Sequence, residues 1–205
     1  AGRTEFAMSV FGRSYGKDIT GTVRLAGEEV DVGTVRKAID NKIAYISEDR
    51  KTLGLVLENS VKDNVTLAAL EEVSSRQVID HNREIAVAER SVETFKIKAS
   101  SIRQHVMNLS GGNQQKVVLA KWLFTDADVY IMDEPTRGID VGAKLDVYNT
   151  INDLAEQGKC ILFISSELPE ILGMSDRIYV MNKGRIVEEF DRGEATQEEM
   201  LSLMI

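Results

Sequence analysis

Val129-Tyr130-Ile131-Met132-Asp133-Glu134-Pro135-Thr136 is the stretch on which the fold turns. Its apolar run predicts a strand buried on both faces, and the run ends in two adjacent carboxylates. Successive strand side chains point to opposite sides, so Asp133 can face a metal at the strand's carboxyl end while Glu134 takes another direction. Open α/β sheets bind ligands at that edge. One carboxylate on Mg²⁺ beside a second that polarises water is equipment for hydrolysing a nucleoside triphosphate. An acidic turn closing a strand would carry the same residues, so other signals must separate the two readings.

The next signal lies upstream. Leu109-Ser110-Gly111-Gly112-Asn113-Gln114-Gln115 puts a serine and two glycines at the start of an apolar helix over residues 113–124. Free backbone N–H groups and the helix dipole favour an anion there, and glycine lets a phosphate approach closely. Alone, this is also a common glycine-rich cap. Ser110 precedes Asp133 by 23 residues, which leaves room for a helix that returns the chain to the sheet.

Working outward, the pattern is α/β on both sides. Upstream, the spacing of Phe6, Val10 and Phe11 predicts a helix starting at residues 2–4. Residues 12–18 read as a loop, and 20–30, with Gly27-Glu28, as a β-hairpin. Residues 35–40 read as a short helix and 42–47 as a strand. Downstream, 142–155 is a helix ended by Gly158, and 160–164 a second buried strand. Residues 178–181 and 185–190 are strands joined through Asn182-Lys183-Gly184, a hairpin signal. Thr196, with Glu199 three positions on, caps a final helix to residue 204. Strands alternating with helices imply a largely parallel sheet.

Between these parts, 58–110 reads as wholly helical. Ser60 with Asp63 makes an imperfect capping box for a helix to about Leu70. Ile85, Ala88, Val92 and Phe95 fall on one face of a helix over 80–97. The chain is therefore expected to be one domain over 1–205, with a core of 1–57 and 111–205 and a helical subdomain at 58–110.

Composition narrows the class. The chain has 205 residues, 43% hydrophobic and 28% charged, which suits one globular domain. Lys and Arg number 25 against 33 Asp and Glu, a net charge of −8, opposite to the balance expected of a free-standing nucleic-acid binder. The single cysteine, Cys160, forms no internal disulfide and fits a reducing compartment; its apolar surroundings predict a core position. No window approaches 18 consecutive apolar residues, and no signal-peptide pattern is seen. The sequence starts at Ala1 without Met and in mid-motif, which predicts a fragment of a longer chain.

Leu-Ser-Gly-Gly-Asn-Gln-Gln followed by Asp-Glu-Pro-Thr resembles the signature motif and Walker B of ABC ATPases. The strings Ile46 to Lys51, Asp133 to Lys144 and Ser165 to Glu170 resemble, more narrowly, the second nucleotide-binding half of monosaccharide-importer ATPases of the ribose, xylose and galactose type. The resemblance covers essentially the whole chain. It implies a P-loop NTPase of ABC type: a mostly parallel sheet flanked by helices, with a small antiparallel element and a helical insert. The implied cofactors are ATP and Mg²⁺. The implied partners are an N-terminal ATPase half of the same polypeptide, transmembrane permease subunits and, indirectly, a periplasmic sugar-binding protein, without nucleic acid. The implied place is the cytoplasmic face of the bacterial inner membrane.

The same resemblance assigns residues. Gly2-Arg3-Thr4 matches the tail of the P-loop, with Arg3 where a lysine is usual and Thr4 available to Mg²⁺ beside Asp133. Arginine keeps the charge but replaces a compact ammonium with a planar fork. Glu48 stands at the usual Q-loop glutamine and Ser166 at the usual switch histidine. Glu134 holds the catalytic position. Gly138-Ile139-Asp140 matches the D-loop, and Ser110, Gly111, Gly112 and Gln114 match the signature that contacts ATP held by a partner half. Sound signature residues beside altered ones at 3, 48 and 166 imply an asymmetric pair, in which this chain completes its partner's site and its own site is weak. Intact Glu134 runs against that view. Two alternatives stay open: a non-catalytic regulatory ABC module, and an ABC ATPase acting on nucleic acid or ribosomes.

Other residues carry plainer expectations. His81 and His105 read as surface positions and Trp122 as core. Glu28-Glu29, Glu71-Glu72 and Glu188-Glu189 read as solvated faces. Glu48 to Lys51 suits a loop that senses nucleotide and meets a membrane partner. The apolar positions 56–70 suit either internal packing or a groove for a membrane subunit's helix.

Overall fold

The structure is a computed structural model and describes residues 2–204. Ala1 and Ile205 lie outside the described residues, and so does the expectation attached to Ala1.

The centre is a parallel sheet of three strands in the order β3–β6–β7, from Ile43–Ile46, Val129–Asp133 and Cys160–Ile164. Ile43 pairs with Val129 and Ile46 with Met132, while Val129 pairs with Cys160 and Asp133 with Ile164. The middle strand, β6, carries an apolar residue at every position before Asp133, and Tyr130, Ile131 and Met132 are fully buried. Helices cover the sheet: α1 (Arg3–Val10) contacts β6, α5 (Gly111–Leu123) contacts β3, and α6 (Val141–Glu156) contacts β7. Val117, Val118, Leu119 and Trp122 of α5 join the sheet residues in the main core, each buried side chain of this size contributing roughly 1.5–3 kcal/mol.

Two antiparallel hairpins flank this layer. One joins β1 (Val23–Leu25) to β2 (Glu28–Val30), followed by α2 (Val35–Asp40). The other joins β8 (Arg177–Asn182) to β9 (Arg185–Asp191) and packs with α7 (Leu168–Met174) and α8 (Gln197–Met204) around Ile171, Ile178, Val180 and Met200. Thr196 and Glu199 bond reciprocally at the start of α8, as expected.

The insert departs from its expected all-helical form. It holds α3 (Val61–Thr66), a 3₁₀ segment over Leu67–Val73, a small hairpin of β4 (Ser74–Ser75) and β5 (Val78–Ile79), and α4 (His81–Thr94). The hairpin escaped prediction because its turn residues, Arg76 and Gln77, take φ of 49° and 65° without the Asn or Gly that usually marks such a turn. The capping box at Ser60 and Asp63 is complete in both directions. The two ends of the insert are stitched together by a bridge between Ser60 and His105 and by the Val61 N–H donating to the Gln104 carbonyl at 3.0 Å.

Three smaller differences follow from position. Cys160 is exposed, because it opens the edge strand of the sheet, while Ile161 to Phe163 are half-buried. Phe6 lies on the open side of α1 while Ala7 and Phe11 face the core. α7 was not expected; Pro169 at its start is the available signal. Trp122 is buried, and both histidines and all three glutamate pairs are exposed, as expected. No helix among the described residues is long and apolar enough to cross a membrane.

Candidate functional site

The carboxyl end of β6 places Asp133 and Glu134 between the ends of β3 and β7. Asp133 is fully buried. The Tyr45 hydroxyl at the end of β3 donates to its Oδ2 at 3.2 Å, whereas Oδ1 is buried with no hydrogen-bond partner among the described residues. Burial pushes the Asp133 carboxyl up from its usual range, opposed by the Thr4 and Tyr45 hydroxyls and by the Arg3 charge. A buried carboxylate oxygen left unpaired beside a threonine hydroxyl is a donor set suited to a hard cation such as Mg²⁺.

Glu134 leaves the strand in a left-handed conformation, φ 49°, which costs about 1–2 kcal/mol for a residue with a Cβ. The kink is held by its own N–H donating to the Ile164 carbonyl at 2.9 Å and by its carbonyl accepting from Arg137 N–H at 3.1 Å. It turns the carboxylate toward Ser166, whose hydroxyl donates to Oε2 at 3.1 Å. Burial raises the Glu134 carboxyl above its usual range, with Ser166 and Arg3 opposing and Asp133 reinforcing.

Arg3 closes this cluster from the first turn of α1. Its guanidinium donates to the Ser165 carbonyl at 2.8 Å and stands 3.7 Å from Glu134. Gly2 caps the helix at φ 104°, and a Cβ there would stand 2.8 Å from the Gly184 Cα, so the turn into Arg3 requires glycine. Thus Gly2, Arg3, Thr4, Asp133, Glu134 and Ser166 come together as the sequence implies.

A second group forms around the start of α5. Ser110 is the N-cap, its hydroxyl oxygen accepting from Asn113 N–H. Gly111 faces Arg50: a Cβ there would stand 2.8 Å from an Arg50 nitrogen. Gly112 faces the start of α6, where a Cβ would meet that of Ala143 at 3.1 Å. Asp140 caps α6 by accepting from Ala143 N–H at 3.0 Å, and hydrogen bonds from that backbone hold its carboxyl below the usual range. Gly138 and Ile139 precede it beside Arg50, which donates to the Arg137 carbonyl at 3.0 Å. Ser110, Gly111 and the 137–140 segment are therefore neighbours on one accessible face.

Two expected residues are not brought to a ligand position. Gln114 is buried and its amide donates to the Val106 carbonyl at 3.1 Å, because the inward face of α5 must satisfy that carbonyl. Glu48 pairs with Arg137, two opposite charges on adjacent loops being free to meet. The sequence reading also missed residues. Tyr45 gave only its place at a strand end. Glu170, in the Ser165-to-Glu170 string, is buried and accepts from Thr136, Tyr148, Lys144 and Ser165; no local pattern signals it, because its donors lie up to 34 residues away.

The ABC transporter family matches residues 1–137. The chain belongs to that family. Among curated relatives it is 58% identical over 204 residues to the L-arabinose transport ATP-binding protein AraG of Geobacillus stearothermophilus, covering 100% of this chain and 40% of the relative. It is 53% identical to the xylose import ATP-binding protein XylG of Geobacillus kaustophilus and 47% identical to the ribose import ATP-binding protein RbsA of Caldanaerobacter subterraneus, in each case over 98% of this chain and 40% of the relative. The chain thus spans about two fifths of the length of the curated relatives it matches. Solved ATP-binding cassettes share the fold. A nucleotide-free cassette superposes with a TM-score of 0.72 at 21% identity over 98% of this chain and 79% of its own. The dimeric, ADP- and Pi-bound cassette MJ0796 gives 0.74 at 18% identity over 91% and 78%.

Proposed function

We propose that this ABC chain is the second nucleotide-binding half of an ATP-driven monosaccharide importer's ATPase. Its signature serves a partner half, and its own P-loop side is a weak or non-hydrolysing site. The relatives supporting the sugar reading are named for arabinose, xylose and ribose. The partners are an N-terminal ATPase half of the same polypeptide, transmembrane permease subunits and, indirectly, a periplasmic sugar-binding protein, at the cytoplasmic face of the inner membrane. Residues 1–57 and 111–205 form the core and 58–110 the insert.

The observation that carries the asymmetry is Arg3 folded back onto Glu134 and the Ser165 carbonyl. The group expected to grip a nucleotide phosphate is engaged within the chain, and at position 166 a serine stands where a cationic donor is usual. Thr4 and Asp133 would hold Mg²⁺, which when bound neutralises phosphate charge. Glu134 would accept a proton from water; burial raises its proton affinity, which favours that role, while the bond it accepts from Ser166 opposes it. Ser110 and the N–H groups of Gly111 and Gly112 would donate to a phosphate held by the partner, and 138–140 would cross to the same site.

The test uses the full-length protein. Ser110→Arg is expected to abolish ATPase and Glu134→Gln to reduce it mildly. Equal losses from both would overturn the asymmetry.

A further inference from the structure

The Glu170 carboxylate bonds none of Asp133, Glu134, Ser110 and Gly111 among the described residues, yet it accepts from four side chains around them. It sits on α7 with 6% of its surface exposed. One oxygen accepts from the Tyr148 hydroxyl at 2.5 Å and the Lys144 ammonium at 3.0 Å; the other accepts from the Ser165 hydroxyl at 2.7 Å. The Thr136 hydroxyl lies 2.8 and 2.9 Å from the two oxygens. The four donors come from three places: the turn after β6, the end of β7, and α6.

These donors flank the site. Thr136 lies two residues after Glu134 and begins the turn that runs into 138–140. Ser165 precedes Ser166, which bonds Glu134, and its carbonyl receives Arg3. The Ser165 hydroxyl also accepts from the Glu167 N–H at 3.0 Å, so the 165–167 turn is fixed at both ends. A buried carboxylate with every lone-pair direction used and a lysine counter-charge is a stiff joint, since any displaced donor leaves a charge unpaired in a low dielectric.

We propose that Glu170 is a positioning residue that locks the turn after β6 to the turn after β7. It thereby sets the Glu134–Ser166 contact and the approach of 138–140 to the partner's nucleotide together. The inference rests on the two-half reading, because the second effect is exerted on a site in the partner.

The test is steady-state ATPase of the full-length protein carrying Glu170→Gln, Thr136→Val or both, with Ser110→Arg in parallel and thermal melting on every variant. Glu170→Gln is expected to lower kcat about tenfold, in the range of outer-sphere partners elsewhere, with the KM for ATP within about twofold of wild type. Thr136→Val should fall in the same way, and the double variant no further than Glu170→Gln alone, because both cut one joint. A wild-type kcat in folded Glu170→Gln, or losses that multiply in the double variant, overturns the proposal. If Glu170→Gln does not fold, Thr136→Val carries the test, and an unchanged kcat overturns it. Ser110→Arg separates the two claims: if it leaves ATPase intact, the two-half reading fails. If it abolishes ATPase while Glu170→Gln keeps kcat, only the role of Glu170 fails.

Discussion

Arg3 and Glu134 stand 3.7 Å apart across the end of β6, with the same guanidinium 2.8 Å from the Ser165 carbonyl. A lysine at position 3 could not span both contacts, since its single ammonium lacks the fork. To turn toward a phosphate, Arg3 must surrender a neutral hydrogen bond, about 1 kcal/mol, and a part-exposed ion pair, about 0–1 kcal/mol. Arg3→Lys removes that cost and is expected to tighten ATP binding at this half about tenfold. Titration of the full-length variant with a fluorescent ATP analogue checks this. An affinity unchanged from wild type would mean that the Arg3 contacts do not compete with nucleotide.

Inside the insert, Glu84 is buried and takes the Lys62 ammonium, with the Thr66 hydroxyl 3.3 Å away. Removing one member of such a pair leaves an uncompensated charge, whereas replacing both can be nearly neutral. Lys62 also pairs with Asp63 at 2.8 Å, so the change that strands a buried charge is Lys62→Met, expected to cost about 3 kcal/mol, with Lys62→Met/Glu84→Leu costing less than that single change. Urea unfolding of the three proteins decides it; a double variant weaker than Lys62→Met would show that the pair contributes little.

What the sequence revealed depended on whether the deciding signal was local. The strand at 129–133 was legible because an apolar run needs no tertiary information, and the cap at Ser60 because it lies within one turn. Cys160 was misplaced because its burial depends on β7 being the sheet's edge, which no local pattern encodes. The hairpin at 74–79 was hidden because Arg76 and Gln77 adopt positive φ against their own preference. At the site, Thr4, Asp133 and Glu134 were legible from motif order. Glu170 was not, since its donors at 136, 144, 148 and 165 meet only when β6, α6 and β7 are packed.

Asn64 shows how the insert is tied to the core. It is fully buried; its amide donates to the Val56 carbonyl at 2.9 Å and the Ser60 carbonyl at 3.0 Å, and its oxygen accepts from Val56 N–H at 2.8 Å. Asn64→Leu leaves the Val56 N–H unpaired, while the Val56 and Ser60 carbonyls lose one donor each and keep the N–H groups of Asn59 and Asn64; it is expected to cost about 2 kcal/mol. Ser60→Ala, which loses only a cap, should cost about 1 kcal/mol. Chemical denaturation should rank them in that order, and the reverse ranking would remove the bracing role assigned to Asn64.

Lys121 gives the fold a pH signature of definite sign. Its ammonium is buried on α5, donates to the Gly54 carbonyl and lies 5.0 Å from the Trp122 ring centroid. Burial lowers its pKa from 10.5 to about 8. Between those values the unfolded chain binds more protons than the folded one, so the residue's contribution to stability rises with pH across that window. Below it, the charged ammonium carries its full penalty, about 3 kcal/mol. Lys121→Met removes the titration. The stability of wild type relative to Lys121→Met is therefore expected to improve as pH is raised from about 8 to 10.5, with a flat difference below 8. Urea unfolding of both proteins at several pH values measures it. A difference that stays constant throughout would show that the ammonium reaches water in the folded state.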